Sequence, residues 1–521
     1  MEYKAEITKL IEELGSSRIY SSAYDTAWAA QLKKLGEPMG ERALDWLREN
    51  QLPDGSWGND LVAYGHDRVI CTLASMVALA RCGKDSDKKY IERARVGLDV
   101  AMNRLVTDIA GATVGFEMLV PDLLETAYEL GAIKRKDDFK HPIAYPLVHY
   151  YHDRQDKTTQ KRQSDIVYER LRVGKDRKIS SLPEGLINRW VTLAFSAEMA
   201  GEKETHLIDA KNLQESNGSV ACSPSATAYY ALNINPGDES ALAYLRNIAN
   251  REWSNDGGMP EIAPFDTFEI GWSLWNLALP ESLDGELLTL AQPKLDFLET
   301  AWAPGRGSGF SAIYTPKDGD DTCLLHETLT RYDREVDIEA VLSYEKEDHF
   351  RCYDLESDAS VGVNVHVLST LRQAGFPVEH SSVQKVINYI KRKQLLNTFW
   401  ADKWHISPYY VTAHTIIAAS GYANDLVYNA VEWMIDTQKK DGSWGYYIPT
   451  AEETAHTLQA LLIWNRFGGK VPRDVLKKGL DWLETHMEPP YTSLWISKTL
   501  YTPELLVRSS ILSALMLGKD I

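Results

Sequence analysis

Asp318, Asp320 and Asp321 place three carboxyl groups within four positions, in the run Asp318-Gly-Asp-Asp321 that leads into a helix-like stretch over 322–332. So many like charges cannot all ionise in a partly buried site, so at least one pKa is pushed upward. A carboxyl kept protonated at neutral pH is a Brønsted acid. It has the chemistry needed to protonate a carbon–carbon double bond, a weak base with no lone pair. The same residues also have a plainer use, because Asp before a helix is a common N-cap and Asp-Gly a common turn. A calcium loop is excluded: the EF-hand pattern needs Gly at its sixth position, and counting from Asp318 that place is Cys323. His326-Glu327 does not continue to the second His of a zincin, and no nucleotide-binding glycine motif is present.

The elements that must carry this cluster read as helices almost throughout. Segments such as Arg68–Arg81, Ala455–Phe467 and Glu504–Leu517 space apolar residues by three and four, between Gly, Pro and Asp turns. Strand-like alternation is scarce, so the expected class is all-α, built from antiparallel helix pairs. One motif recurs between helices: Gln51-Leu-Pro-Asp-Gly-Ser-Trp57 and Gln438-Lys-Lys-Asp-Gly-Ser-Trp444 share the pattern QxxDGSW. Gln214-Glu-Ser-Asn-Gly-Ser-Val220 is a degraded copy, and Asp256-Gly-Gly258 a remnant. Gly permits the turn, Gln and Asp hold backbone, and Trp plugs the gap between helix ends, so these are structural staples. Their repetition points to toroidal (α/α) barrels.

At 521 residues, with 44% apolar and 25% charged residues, the chain has room for two or three globular domains. A net charge of −18 without a long basic run argues against nucleic-acid binding. The 15 Trp, 26 Tyr and 11 Phe can pack cores or line a cavity with π faces that stabilise cations. Five scattered cysteines without a CxxC pair suggest free thiols in a reducing compartment. The charged amphipathic start MEYKAEITKLIEEL fits neither a secretory signal nor a transit peptide, and no apolar run is long enough to span a membrane. A cytoplasmic, bacterial protein is expected.

The staples and the acidic cluster together resemble the class II terpene cyclases, specifically the diterpene cyclases that act on a prenyl diphosphate. The resemblance covers nearly the whole chain. Ser22-Ala-Tyr-Asp-Thr-Ala-Trp28 matches SAYDTAW, and Gly55-Ser-Trp-Gly58 followed by His66-Asp-Arg68 matches DGSWG…HDR. Val114-Gly-Phe-Glu117 with Pro121 matches VGFE…P, Ser223-Pro-Ser-Ala-Thr227 matches SPSxTA, and the acids fall on DxDD. The resemblance implies two α-barrel domains, called β and γ, with γ inserted into β. Here β would comprise 1–34 and 256–521, and γ would comprise 35–255.

It also implies roles, carried over by position. Asp320 would be the general acid, tuned by Asp318 and Asp321, with Asn364 hydrogen-bonded to it unless that Asn is an ordinary helix amide. Trp272 would stabilise the cyclic carbocation, or else simply pack the core; Tyr409, Tyr410 and Tyr501 are further candidates for that wall. Lys403, Lys498 and Arg68 would meet the diphosphate. Mg2+ is the implied cofactor, yet its ligands are unknown: the acidic stretch that plant members carry before VGFE is reduced here to Asp108. The His and Asn that hold a basic water in plant enzymes making ent-copalyl diphosphate correspond to Ser180 and Glu261. Losing that dyad favours a rearranged, clerodane- or halimane-type bicyclic product, with Glu261 either a base or an exposed loop residue.

Class I ionisation motifs are absent. Asn424–Glu432 has Tyr428 in place of a hydroxyl ligand, and Asp137-Asp138 has His141 where the third acid belongs. The expected reaction is therefore cyclisation of geranylgeranyl diphosphate with the diphosphate retained, the product passing to a class I terpene synthase or a phosphatase. The competing readings are a farnesyl diphosphate cyclase giving a drimane, a squalene cyclase, and a non-catalytic α-barrel binding protein.

Overall fold

A computed structural model describes residues 3–133, 172–251, 253, 255–356 and 358–521. The acid pair Asp137-Asp138 and His141 lie outside the described residues. The chain is all-α, and among the described residues strands are confined to two-residue pairs such as Ser21–Ser22 against Met259–Pro260. It divides into two compact units. The first comprises 1–18, 264–495 and 502–521; the second comprises 19–263 and 496–501. The helix Ala23–Ala30, within the expected first β segment, packs on Pro38–Glu49, Gly65–Cys82 and Pro224–Tyr229, all in the second unit.

In the first unit, the helices Asp266–Ala278, Gly319–Arg331, Val361–Gln373, Pro408–Ala419, Ala451–Arg466 and Glu504–Leu517 each pack on the next, and the last packs on the first. They form a closed inner ring. Lys4–Glu13, Gly285–Ala301, Ser381–Arg392, Tyr428–Asp436 and Arg473–Glu484 lie outside it. Composition sorts the two layers. Every residue of Pro408–Ala419 is buried, so that helix needs protein on all sides. Ser381–Arg392 instead buries Val383, Val386, Tyr389 and Ile390 on one face and leaves its charges outside. Inner helices begin on side-chain caps: Ser360 accepts from the Val363 amide, Ser407 from Tyr409 and Thr450 from Glu453.

The second unit repeats the plan on a smaller scale. Ala23–Ala30, Gly65–Cys82, Phe116–Glu129, the tight helical segment Thr192–Ala200 and Pro224–Tyr229 close a ring among the described residues. Pro38–Glu49, Lys88–Arg104 and Glu239–Ala249 pack outside it.

The staples hold each outer helix to the next inner one. The Trp57 indole donates to the Leu47 carbonyl (2.8 Å), Gln51 to the Gly55 and Tyr90 carbonyls, and the Trp57 amide to Thr72 Oγ1 (3.0 Å). Trp444 repeats this with Met434 and Thr454, and Gln438 with Gly442 and Val475. The glycine is required: φ is +91° at Gly55, and a Cβ there would meet the Arg93 carbonyl oxygen at 2.3 Å.

The structure adds a copy that the sequence pattern conceals. Trp400 donates to the Ile390 carbonyl (2.7 Å) and its amide to Thr412 Oγ1 (3.1 Å), with Asn397-Thr398 in place of Asp-Gly and positive φ at Leu396 and Asn397. The same amide-to-threonine stitch joins Val220 to Thr227 and Ser308 to Thr322. Thr322 follows Asp321 directly, so the acidic cluster is built into the repeat.

Trp400→Ala is expected to cost about 3–5 kcal/mol of stability, as Trp444→Ala should, because each empties a buried indole site. Urea unfolding of the two variants measures this; a near-silent Trp400→Ala would remove it from the set of staples.

Candidate active site

The acidic cluster sits at the start of the inner-ring helix Gly319–Arg331. Asp318 caps it: one carboxylate oxygen accepts the amides of Asp320 (3.0 Å) and Asp321 (2.8 Å). Gly319 donates its amide to the Cys352 carbonyl, and a Cβ on it would lie 2.5 Å from the Arg351 carbonyl oxygen. The second position of the motif must therefore be glycine. Burial, reinforced by Asp320 and opposed by the amides it accepts, pushes the Asp318 pKa up to about 7. Burial and the charges of Asp318 and Asp320 push Asp321 well above the carboxylate range. Both flanking acids thus tend to keep their protons.

Asp320 stands apart from them. Its side chain is 16% exposed, and its Oδ1 lies 2.5 Å from His366 Nδ1. Its other oxygen makes no hydrogen bond among the described residues. Burial alone would depress the His366 pKa, but the charge and hydrogen bond of Asp320 outweigh it and raise it. His366 Nε2 in turn lies 3.1 Å from His414 Nδ1. Burial, followed by His366, His456 and His405, drives His414 well below the usual imidazole range.

The partner expected at Asn364 is therefore His366. Asn364 is fully buried and spends its amide on backbone: Oδ1 accepts from the Phe350 amide (2.8 Å), and Nδ2 donates to the Phe350 (2.9 Å) and Ser360 (2.8 Å) carbonyls. Residues two apart on a helix point to nearly opposite sides, so only one of Asn364 and His366 can face the acid. A histidine at inner-helix spacing beside the acid was the missed signal.

Trp272 is completely covered. Its ring centroid is 5.0 Å from His366, 5.4 Å from Phe268, 5.8 Å from Trp495 and 6.1 Å from Tyr410. Its indole N–H has no partner among the described residues. Tyr410 belongs to this aromatic set, whereas Tyr409 stacks outward on Trp433. Tyr501 is buried in the second unit.

The cations expected to meet an anion are already paired. Lys403 bonds the Glu356 carboxylate and the Asp358 carbonyl, with 27% of its side chain exposed. In the second unit, Arg68 is tied inside the first staple by Asp54 (3.1 Å), Ser56 (2.7 Å) and the Asn59 carbonyl (2.8 Å). Lys498 is wholly buried and donates to Glu198 (2.6 Å), Ser223 (2.8 Å) and Ser225 (2.7 Å). Asp25 of SAYDTAW accepts the Ser225 amide (2.9 Å), which explains why SAYDTAW and SPSxTA occur together.

Glu261 is buried rather than exposed. It accepts the amide and hydroxyl of Thr499, each at 2.8 Å. Burial and nearby Asp25 push its pKa up to about 8. Ser180 is exposed, and its hydroxyl returns to the Arg177 carbonyl. No group of three acidic, histidine or cysteine side chains is placed to hold a metal among the described residues. Asp108 is occupied by His66 and by the Gly65 and His66 amides. A protein-only magnesium site does not fit these residues.

Comparison with known proteins gives the same class. The squalene-hopene cyclase C-terminal domain family matches residues 331–498. A type B diterpene cyclase of Mycobacterium tuberculosis is 40% identical over 512 residues, 96% of each chain. The (+)-kolavenyl diphosphate synthase of Herpetosiphon aurantiacus is 29% identical over 543 residues, covering 98% of this chain and 96% of its own. The ent-copalyl diphosphate synthase structure from Streptomyces platensis superposes with a TM-score of 0.75 at 24% identity, over the whole of both chains. The protein belongs to the class II diterpene cyclases, enzymes of the intramolecular lyase and isomerase type.

Two outcomes are expected. Asn364→Ala should destabilise by about 2–4 kcal/mol without moving a pH optimum, because it strands buried backbone groups. Its urea midpoint and pH profile check this. A carboxyl with a raised folded-state pKa keeps a proton that the unfolded chain releases, so stability falls as pH rises from about 4.5 to about 8. Glu261→Gln should flatten that fall; an unchanged slope would assign it to other groups.

Proposed function

We propose that this cyclase protonates the terminal double bond of geranylgeranyl diphosphate from Asp320 and closes the chain to a bicyclic diterpenyl diphosphate that keeps its diphosphate. One observation carries the reading: Asp320 alone in the cluster has an open carboxyl edge, while His366 holds the other oxygen. The O–H bond of Asp320 breaks as a C–H bond forms from the alkene π pair. The tertiary cation left behind is attacked by the next double bonds in turn, closing two rings. Loss of a proton from carbon ends the cascade, and Asp320 regains its proton from solvent. Trp272 and its aromatic neighbours suit a wall that stabilises positive charge without reacting with it.

Lys403 is the candidate anchor for the diphosphate, since it is partly exposed and could exchange Glu356 for phosphate oxygens. Arg68 and Lys498 are better suited to hold the second unit together. Mg2+ enters this scheme as the counter-ion that the diphosphate brings. A rearranged, clerodane- or halimane-type skeleton is favoured because neither Ser180 nor Glu261 offers a free base. The kolavenyl diphosphate synthase likeness supports retention of the diphosphate. A cytoplasmic enzyme passing its product to a class I terpene synthase or a phosphatase fits this scheme; no helix among the described residues is long and apolar enough to cross a membrane.

The test is incubation with geranylgeranyl diphosphate and magnesium, then phosphatase treatment, mass spectrometry and NMR, with farnesyl diphosphate in parallel. A bicyclic C20 alcohol is expected, reduced at least about 10²-fold in Asp320→Asn. A drimane from C15 and nothing from C20 would reassign the substrate. No product from either would overturn the reading.

A further inference from the structure

We infer that His414 is a positioning residue for the acid: its neutral imidazole accepts a hydrogen bond from His366, keeping a proton on both His366 nitrogens and so holding Asp320 ready to release its own. The inference rests on Asp320 being the proton donor.

The geometry is a chain of three groups in the first unit, running inward from the acid. Asp320 Oδ1 lies 2.5 Å from His366 Nδ1, and His366 Nε2 lies 3.1 Å from His414 Nδ1. Exposure falls along it, from 16% for the Asp320 side chain to 4% for that of His366 and 2% for His414. Beyond His414 the chain stops, because its Nε2 has no hydrogen-bond partner among the described residues.

Packing fixes the ring. His414 stacks on Trp275 at 5.2 Å and 14°, and Trp275 is itself anchored by its indole N–H to Glu327 (2.9 Å). Trp272 and Tyr410 flank it at 5.4 and 4.7 Å. The titratable groups facing it are the Tyr410 phenol on its own helix and three imidazoles: His366 from the helix Val361–Gln373, His456 from Ala451–Arg466, and His405 from the loop before its own helix. Glu452 lies behind His405 and His456, at 3.5 and 3.7 Å from them. Tyr428–Asp436 also packs on this helix, through Trp433 on Tyr409. A second positive charge inside that cluster has no carboxyl oxygen in contact with it, whereas His366 has Asp320 Oδ1, which accepts its hydrogen bond whether Asp320 is protonated or ionised. The proton therefore belongs on His366, and His414 takes the acceptor role.

The consequence for the acid is directional. With a proton on each nitrogen, His366 donates one hydrogen bond to Asp320 Oδ1 and the other to His414. Oδ1 is then occupied as an acceptor, and the transferable proton sits on Oδ2, the free oxygen. When Oδ2–H breaks and the alkene carbon gains the hydrogen, the carboxylate formed is paired at once with the imidazolium. After product release it takes a proton from solvent, and His366 stays charged throughout. Losing the acceptor at His414 weakens the doubly protonated form, because a buried N–H would be left unpaired.

The test compares His414→Leu, which removes the acceptor, with His414→Asn, whose carbonyl can replace it. Histidine ring nitrogens are labelled with ¹⁵N, and the His366 signal, assigned by its loss in His366→Gln, is titrated in the full-length protein. In His414→Leu its midpoint should fall by about one pH unit, the equivalent of one hydrogen bond to a charged group. The alkaline limb of kcat should move down with it, with KM for geranylgeranyl diphosphate little changed. His414→Asn should restore both. An unmoved His366 midpoint in His414→Leu, or equal losses in the two variants without a pH shift, would overturn the inference. Should the native protein leave geranylgeranyl diphosphate untouched, the proposed function fails, and the titration still decides the role of His414.

Discussion

Burial of ionisable groups in a closed ring of helices is the constraint on which the rest depends. An inner helix has no solvent face, so every carboxylate, amine and imidazole inside the ring must find a protein partner or give up its charge. The first unit meets this with hydrogen-bonded pairs in sequence: Asp318 with helix amides, Asp320 with His366, Trp275 with Glu327. The second unit meets it with Asp25, Glu198, Glu261 and Lys498 gathered around Ser223, Ser225 and Thr499. Asp320 differs in standing at the open edge of its network, which gives one group a partner on one oxygen and freedom on the other.

The helical class, the barrel plan and the acidic cluster were legible because each rests on local chemistry. Apolar spacing marks a helix, Gly with positive φ marks a staple turn, and three acids in four positions mark a perturbed titration. Trp400 escaped because Thr398 stands where the pattern has Gly, and the left-handed conformations fall on Leu396 and Asn397 instead. Side-chain direction was harder still. Asn364 and His366 are equally polar on paper, and only the packing of Val361–Gln373 against Gly319–Arg331 decides which meets the acid. The lysines and Arg68 were marked by charge, yet charge alone does not reveal that Lys498 is fully buried against Glu198. Glu261 was placed on a loop, and the loop is covered.

The staple and the acid share one device. Thr322 receives the Ser308 amide just as Thr454 receives that of Trp444, and Asp318 caps the same turn. The proton donor is thus carried on a joint that recurs elsewhere for stability alone. Its position is set by backbone geometry, and Gly319 allows the Arg351 strand of chain to close over it.

The six residues 496–501 belong to the second unit, although the chain on either side belongs to the first. They supply Lys498 to Glu198, Thr499 to Glu261 and the Leu500 amide to Asp67 (3.0 Å). Glu198, Glu261 and Asp67 are made much earlier, and each waits for this segment. The inner ring of the first unit likewise closes only with Glu504–Leu517, which also covers the opening helix Lys4–Glu13. During synthesis the second unit cannot finish its interior until residues 496–501 are made, nor the first until Glu504–Leu517 follows them. A chain stopped before residue 496 would leave two unfinished cores rather than one complete domain and one fragment.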